Sequence, residues 1–172
     1  VVEVNGGGFT GNAATGNGGG IAVSAAGTLT IGNTSGVTFT NNTAGVGGGA
    51  IYHNGISPFS ISNSTFQNNA ALNGGAMLIA DPSANLNVSN STFTGNTAVD
   101  DGGAIVNNAN PTTITNSLFQ NNSVTGISPN NDGGAIQNTL NADGTTIRLS
   151  SFIGNSTTNT NDNNARGGAI AN

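Results

Sequence analysis

The sequence predicts an all-β protein: a right-handed parallel β-helix (β-solenoid) of six coils, with three short strands per coil. Three observations carry that prediction. A Phe followed three residues later by Asn recurs six times, at Phe9/Asn12, Phe39/Asn42, Phe66/Asn69, Phe93/Asn96, Phe119/Asn122 and Phe152/Asn155. A glycine pair followed by a small residue and a bulky aliphatic alternates with it, opening at Gly18, Gly48, Gly74, Gly102, Gly133 and Gly167. Both series repeat every 26 to 34 residues, the length of a unit that buries its apolar face only by stacking on its neighbours. Helical spacing is nowhere sustained, and the density of Gly and Asn disfavours helix.

Residues 86 to 111 serve as the pattern coil. Leu86, Asn87 and Val88 alternate apolar and polar, as a half-buried strand does. Asn90 and Ser91 form a corner, and Thr92-Phe93-Thr94 makes a second strand with Phe93 inward. Gly95-Asn96 turns the chain, since Gly and Asn both tolerate left-handed backbone angles. The third strand is expected over Gly102–Val106, with Ile105 inward. The usual hand of parallel crossovers makes the helix right-handed.

The other coils fit this pattern in turn. Val2 and Val4 precede Phe9 as Leu86 and Val88 precede Phe93, and Phe59/Ile61, Thr112/Ile114 and Thr145/Ile147 hold the same places. The second coil differs: Leu29 and Ile31 stand three residues further from Phe39, which implies an insertion around Gly32 to Gly36. The fifth and sixth coils carry longer stretches within Ser123–Asp132 and Ser156–Arg166. These are expected to bulge as neighbouring loops on one edge, where such repeat proteins often bind. The chain reads as one solenoid domain over 1–172, with coils at approximately 1–28, 29–58, 59–85, 86–111, 112–144 and 145–172.

Stacking at the strand spacing of ~4.8 Å sets equivalent side chains above one another. The six Phe are expected to form an inner aromatic column. The six Asn are expected to form an amide ladder bonding from coil to coil, as in cross-β arrays. The glycine pairs are expected at corners too tight for a Cβ.

Twelve such motifs in alternation resemble the repeats of polymorphic outer membrane proteins, autotransporters whose passenger domains are surface adhesins. The resemblance covers essentially the whole chain. It implies a secreted or surface-exposed β-helix with an adhesive role toward a host surface, a neighbouring cell or a glycan.

Composition narrows the partners. The chain has 172 residues, no Lys, two Arg (Arg148 and Arg166) and a net charge of −5. It therefore lacks the basic footprint that nucleic acid or an anionic membrane requires. Cysteine is absent, which excludes disulfides, thiolate metal sites and a Cys nucleophile. No apolar run approaches the ~20 residues of a spanning helix. The chain opens at Val1 without Met, as a processed product or a fragment does.

Candidates for chemistry are few, and no catalytic residue is assigned. Asp100 and Asp101 are adjacent carboxylates, and carboxylate clusters serve the pectin-degrading β-helix hydrolases and lyases. With Asp132 they define an alternative, a carbohydrate-active β-helix. The column before the glycine pairs reads Asn17, Gly47, Asn73, Asp101, Asp132, Arg166. Asp101 and Asp132 stacked there would repel unless Arg166 or a cation such as calcium neutralised them, which makes them the only metal candidates; no cofactor is expected. His53 is placed outward after Tyr52, as a surface residue. Thr38, Thr40, Thr92 and Thr94 face outward like the Thr arrays of ice-binding solenoids, but Gln67, Leu118 and Gln120 interrupt the array.

The function expected is therefore a non-enzymatic, extracellular structural or adhesive β-solenoid. Val2, Val4 and Ile170 lie on the first and last strands, and neither end shows a cap. Open solenoid ends are templates for pairing, so copies are expected to join head to tail into a filament; the alternative is a fragment of a longer passenger.

Overall fold

The computed structural model describes residues 1–24, 27–126, 131–158 and 165–172. The chain winds through six coils, and equivalent strands of successive coils pair in parallel to form four six-stranded sheets. Sheet A holds Val2–Val4, Leu29–Ile31, Phe59–Ser62, Leu86–Ser89, Thr112–Thr115 and Thr145–Arg148. Sheet B holds Gly8–Thr10, Thr38–Thr40, Thr65–Gln67, Thr92–Thr94, Leu118–Gln120 and Ser151–Ile153. Sheet C holds Ala13–Ala14, Thr43–Ala44, Ala70–Asn73, Thr97–Asp101, Ser123–Val124 and Ser156–Thr157. Sheet D holds Ile21–Val23, Ile51–His53, Met77–Ile79, Ile105–Asn107, Ile136–Asn138 and Ile170–Ala171.

Each coil thus has four strands, not the three expected. The added strand is that of sheet C, and its inward positions are mostly small: Ala14, Ala44, Ala71, Ala98, Val124 and Thr157. A strand of two to five residues with one small inward side chain leaves almost no apolar signal. The strand expected over Gly102–Val106 is also shorter, running Ile105–Asn107. Gly102 has φ +57° and bends the chain from sheet C into sheet D. A Cβ on Gly103 would run into the carbonyl of Gly134 on the next coil. The first glycine of the pair is needed for its torsion and the second for space.

The core is a narrow tube between the sheets. Phe39, Phe59, Phe66, Phe93 and Phe119 are fully buried, with Ile51, Met77, Ile105 and Ile136 filling sheet D. Besides the C–D corner, two others place a residue in the left-handed region, asparagine or glycine everywhere but Leu149. Between sheets A and B stand Asn63, Asn90, Asn116 and Leu149, at φ +46° to +53°. Between B and C stand Gly11, Asn41, Asn68, Gly95, Asn121 and Gly154, at φ +54° to +65°. In the second coil the residues between Ile31 and Thr38 outnumber those between Val4 and Gly8 by three. They lie against the first coil: Thr34 N–H donates to Asn5 Oδ1 and Gly6 N–H to the Ser35 carbonyl, each at 2.9 Å. Of the long stretches expected to bulge from coils five and six, residues 127–130 and 159–164 lie outside the described residues.

Candidate functional site

The polar side chains of the repeat turn inward at the corners and bond along the axis. Directly after the left-handed residue of the B–C corner comes Asn12, Asn42, Asn69, Asn96, Asn122 or Asn155. From Asn42 onward each Oδ1 accepts the backbone N–H and the Nδ2–H of the preceding coil's Asn, at 2.9–3.0 Å. Each Nδ2 also donates back to the carbonyl of the preceding coil's Phe, at 2.9–3.0 Å. The four inner members thereby satisfy every amide valence, which is what makes their burial tolerable. The ladder has a direction. Its side-chain carbonyls point to the first coil, and its backbone N–H and one Nδ2 hydrogen of each member to the last. Beside it the six Phe rings stack with centroids 4.6–4.9 Å apart and planes within 4° of parallel.

Two further ladders carry no expectation from the sequence. At the A–B corner, Ser64, Ser91, Ser117 and Ser150 each accept at Oγ the backbone N–H of the preceding coil, at 3.1–3.2 Å. Each hydroxyl donates to the carbonyl two residues back, at 2.7–2.9 Å. The signal was a Ser two places before Phe66, Phe93, Phe119 and Phe152. At the D–A corner, Asn107 Nδ2 donates to Asn138 Oδ1 at 2.9 Å, and Asn138 Nδ2 to Asn172 Oδ1 at 3.3 Å. Asn107 Oδ1 accepts from Ala109 N–H and Thr112 Oγ1, both at 3.1 Å. The signal there was an Asn two places after Ile105, Ile136 and Ile170.

His53 does not face outward. It is fully buried, pairs in register with Val23 and Ile79, and stacks on Phe59 at 4.9 Å. Strand alternation demands this: with Ile51 inward, Tyr52 points out and His53 in. Neither ring nitrogen has a hydrogen-bond partner. Burial holds its pKa below the usual histidine value, against the opposing pull of the Asp81 charge. Tyr52 is half-buried on the outer face, between Ala22 and Leu78.

The carboxylates are stacked where sheet C turns into sheet D. Asp101 bridges to Asp132, and Asp132 to Arg166, in parallel. Asp101 Oδ1 accepts the Asp132 N–H at 3.0 Å, and Asp132 Oδ1 accepts the Arg166 N–H at 3.1 Å. The Arg166 Nε lies 3.9 Å from the same oxygen, with its side chain largely in solvent. Burial pushes the Asp101 carboxyl up to about 6. The charges of Asp132 and Asp100 add to that rise, while hydrogen bonds from the Asp132 backbone and the Gln137 side chain oppose it. Among the described residues, no three or more His, Cys, Asp or Glu side chains group as metal ligands. His53 lies in the D–A corner of the second coil, so the histidine and the aspartates are not brought together.

The fold and its ladders define a class: a parallel β-solenoid whose repeat residues are structural. Three segments, 36–54, 90–108 and 116–139, match the Chlamydia polymorphic membrane protein repeat. The chain carries repeats of the polymorphic membrane protein type, set in a β-helix. Nothing among curated proteins or solved structures matches it. The repeat type points to an autotransporter-like protein associated with the outer membrane or cell surface. Among the described residues no helix is long and apolar enough to cross a membrane, which says nothing of a β-barrel.

Proposed function

We propose that this chain is an extracellular structural and adhesive solenoid that stacks head to tail with copies of itself. The observation that carries the reading is the direction of the Asn ladder. On the first-coil face, Asn12 keeps an open Oδ1 and one uncommitted Nδ2 hydrogen. On the last-coil face, Asn155 keeps its N–H and an Nδ2 hydrogen, and Phe152 its carbonyl. A second copy seated in register would repeat the internal pattern: two donors of Asn155 onto Asn12 Oδ1, and Asn12 Nδ2 onto Phe152. Phe152 would stack on Phe9, and Ile147 and Ile170 would meet Val4 and Ile21, with Val2 above Thr145.

Such a contact is heterologous and does not close, so it yields a filament rising roughly 29 Å per copy at the strand spacing. The Thr, Ser and Asn side chains of the outer faces then line its flanks as the surface offered to another cell or a glycan. Sedimentation of the folded chain over a wide concentration range tests this. Wild type should grow and Asn12→Leu should stay small while keeping its β spectrum. A wild-type monomer that ignores both concentration and preformed seeds would overturn the stacking.

A second reading has one observation in its favour. Asp101, raised to about 6, is tuned as the proton donor of a polysaccharide-cleaving β-helix would be, with Asp100 and Asp132 beside it in sequence and stack. Polysaccharide turnover abolished by Asp101→Asn would establish that reading over the structural one.

A further inference from the structure

Four Asn-Gly pairs occur in the chain: Asn5-Gly6, Asn17-Gly18, Asn54-Gly55 and Asn73-Gly74. In such a pair the glycine nitrogen can close on the asparagine side-chain carbon, because no Cβ obstructs the approach. The reaction needs that nitrogen free, since an N–H committed to a carbonyl is held away from the side chain and deprived of its lone-pair reactivity.

Three of the four pairs are protected by the coil stack. Gly6 N–H donates to Ser35, Gly18 N–H to Gly47 and Gly74 N–H to Asp101, each at 2.9 Å. All three glycines are also held at positive φ, between +62° and +71°. The pair at 54–55 is built differently. Asn54 N–H is anchored to the Val23 carbonyl at 2.8 Å, and the His53 carbonyl accepts Ala80 N–H at 2.8 Å. Beyond that anchor the chain leaves sheet D for the corner. Among the described residues no acceptor takes the Gly55 N–H, and no partner holds the exposed Asn54 side chain.

We propose that Asn54 is a modification site, the asparagine that this solenoid converts to an acid while folded. The Gly55 nitrogen attacks Cγ of Asn54, the Cγ–Nδ2 bond breaks, and ammonia leaves with the proton from Gly55. Water opens the resulting five-membered imide at either carbonyl. Opening at Cγ gives aspartate, and opening at the main-chain carbonyl gives the β-linked isomer. The balance is amide plus water to acid plus ammonia, with no oxidant or cofactor. The product sets a new carboxylate on the D–A corner, next to the corner that bears Asp81. In the β-linked form it also lengthens the backbone beside buried His53.

Incubation of the folded chain at mildly alkaline pH, then peptide mass mapping with enzymatic labelling of β-linked aspartate, reads out all four pairs at once. Asn54 should convert several-fold faster than Asn5, Asn17 or Asn73. In denaturant the four rates should converge, because the protection of the other three is structural. Conversion of any protected pair at the Asn54 rate in the folded chain would overturn the proposal. So would an Asn54 that reacts only after unfolding.

Discussion

The B–C corner and the D–A corner do the same geometrical task with different chemistry. At the B–C corner all six coils supply Asn, and each inner amide finds its partners on the coils above and below. At the D–A corner the inward residue changes along the axis: Val23, His53 and Ile79 give way to Asn107 and Asn138. Sheet A changes with it, from Leu29, Phe59 and Leu86 to Thr112 and Thr145. Where the column is uniform, a polar group stacked on its own kind is satisfied by translation alone. Where it is mixed, a polar residue on apolar neighbours is stranded, as both ring nitrogens of His53 are.

The largest effect should come from breaking the uniform corner. Asn96→Leu strands the Asn69 N–H and amide, the Phe66 carbonyl and an acceptor on Asn122. A loss of more than about 4 kcal/mol is expected, since each buried orphan costs about 1–3 kcal/mol. Phe93→Ala, in the middle of the aromatic column, should cost about 3–5 kcal/mol. The outward Tyr52→Ala should cost about 1 kcal/mol or less. Denaturant midpoints compare the three, and equal losses would mean that the columns are not the source of stability.

The mixed corner should respond in the opposite sense. His53→Ile matches Ile79 on the next coil and removes two stranded nitrogens, so a gain of about 1–2 kcal/mol is expected. It should also change the pH dependence. The folded-state pKa of His53 is lowered, so its contribution is complete above the unfolded value near 6.5 and is lost as pH falls through the folded value. Wild type should therefore weaken on acidification relative to His53→Ile; parallel midpoint curves for the two would contradict the burial of a neutral ring.

Asp101 has the reverse sign. Its folded pKa, about 6, lies above the ordinary aspartate value of 3.8, so protonation favours the fold. The penalty is absent below the lower value and complete above the higher. Asp101→Asn should raise the midpoint at neutral pH and leave it unchanged near pH 3, as a thermal scan at the two pH values would read. A small gain is expected at Leu149, a left-handed residue at φ +52° where the equivalent coils have Asn. Leu149→Asn should add about 1 kcal/mol.

The parallel stacking and the number of coils were legible because Phe-x-x-Asn and the glycine pair each mark one place per turn. What a coil does between those marks was harder to read. The sheet C strand escaped because Ala98 and its equivalents carry too little apolar area to show a period. The Ser ladder escaped because a serine in a corner looks like any turn residue until the coil above it is in place. His53 was a different kind of miss: strand alternation from Ile51 pointed it inward, and the usual exposure of a lone histidine outweighed that local signal. The stack of Asp101 on Asp132 and Arg166 was legible from the column before the glycine pairs, whereas the Gln137 side chain reaches Asp101 only through the fold and left no signal.

The 27-residue separation between ladder partners in the third and fourth coils has a bearing on how such a protein changes length. A segment cut from Phe66 to Thr92 begins and ends at the same point of the winding, and both its neighbours present the same bonds to it. Duplicating it in frame adds one turn and about one strand spacing of height, and deleting it removes the same increment, with the Phe and Asn columns intact. A duplication spanning the change from Ile79 to Asn107 would instead set an asparagine back against an apolar neighbour. Gain or loss of whole turns is thus nearly neutral in one stretch and penalised in another, and size variation among descendants of this gene should concentrate in the former.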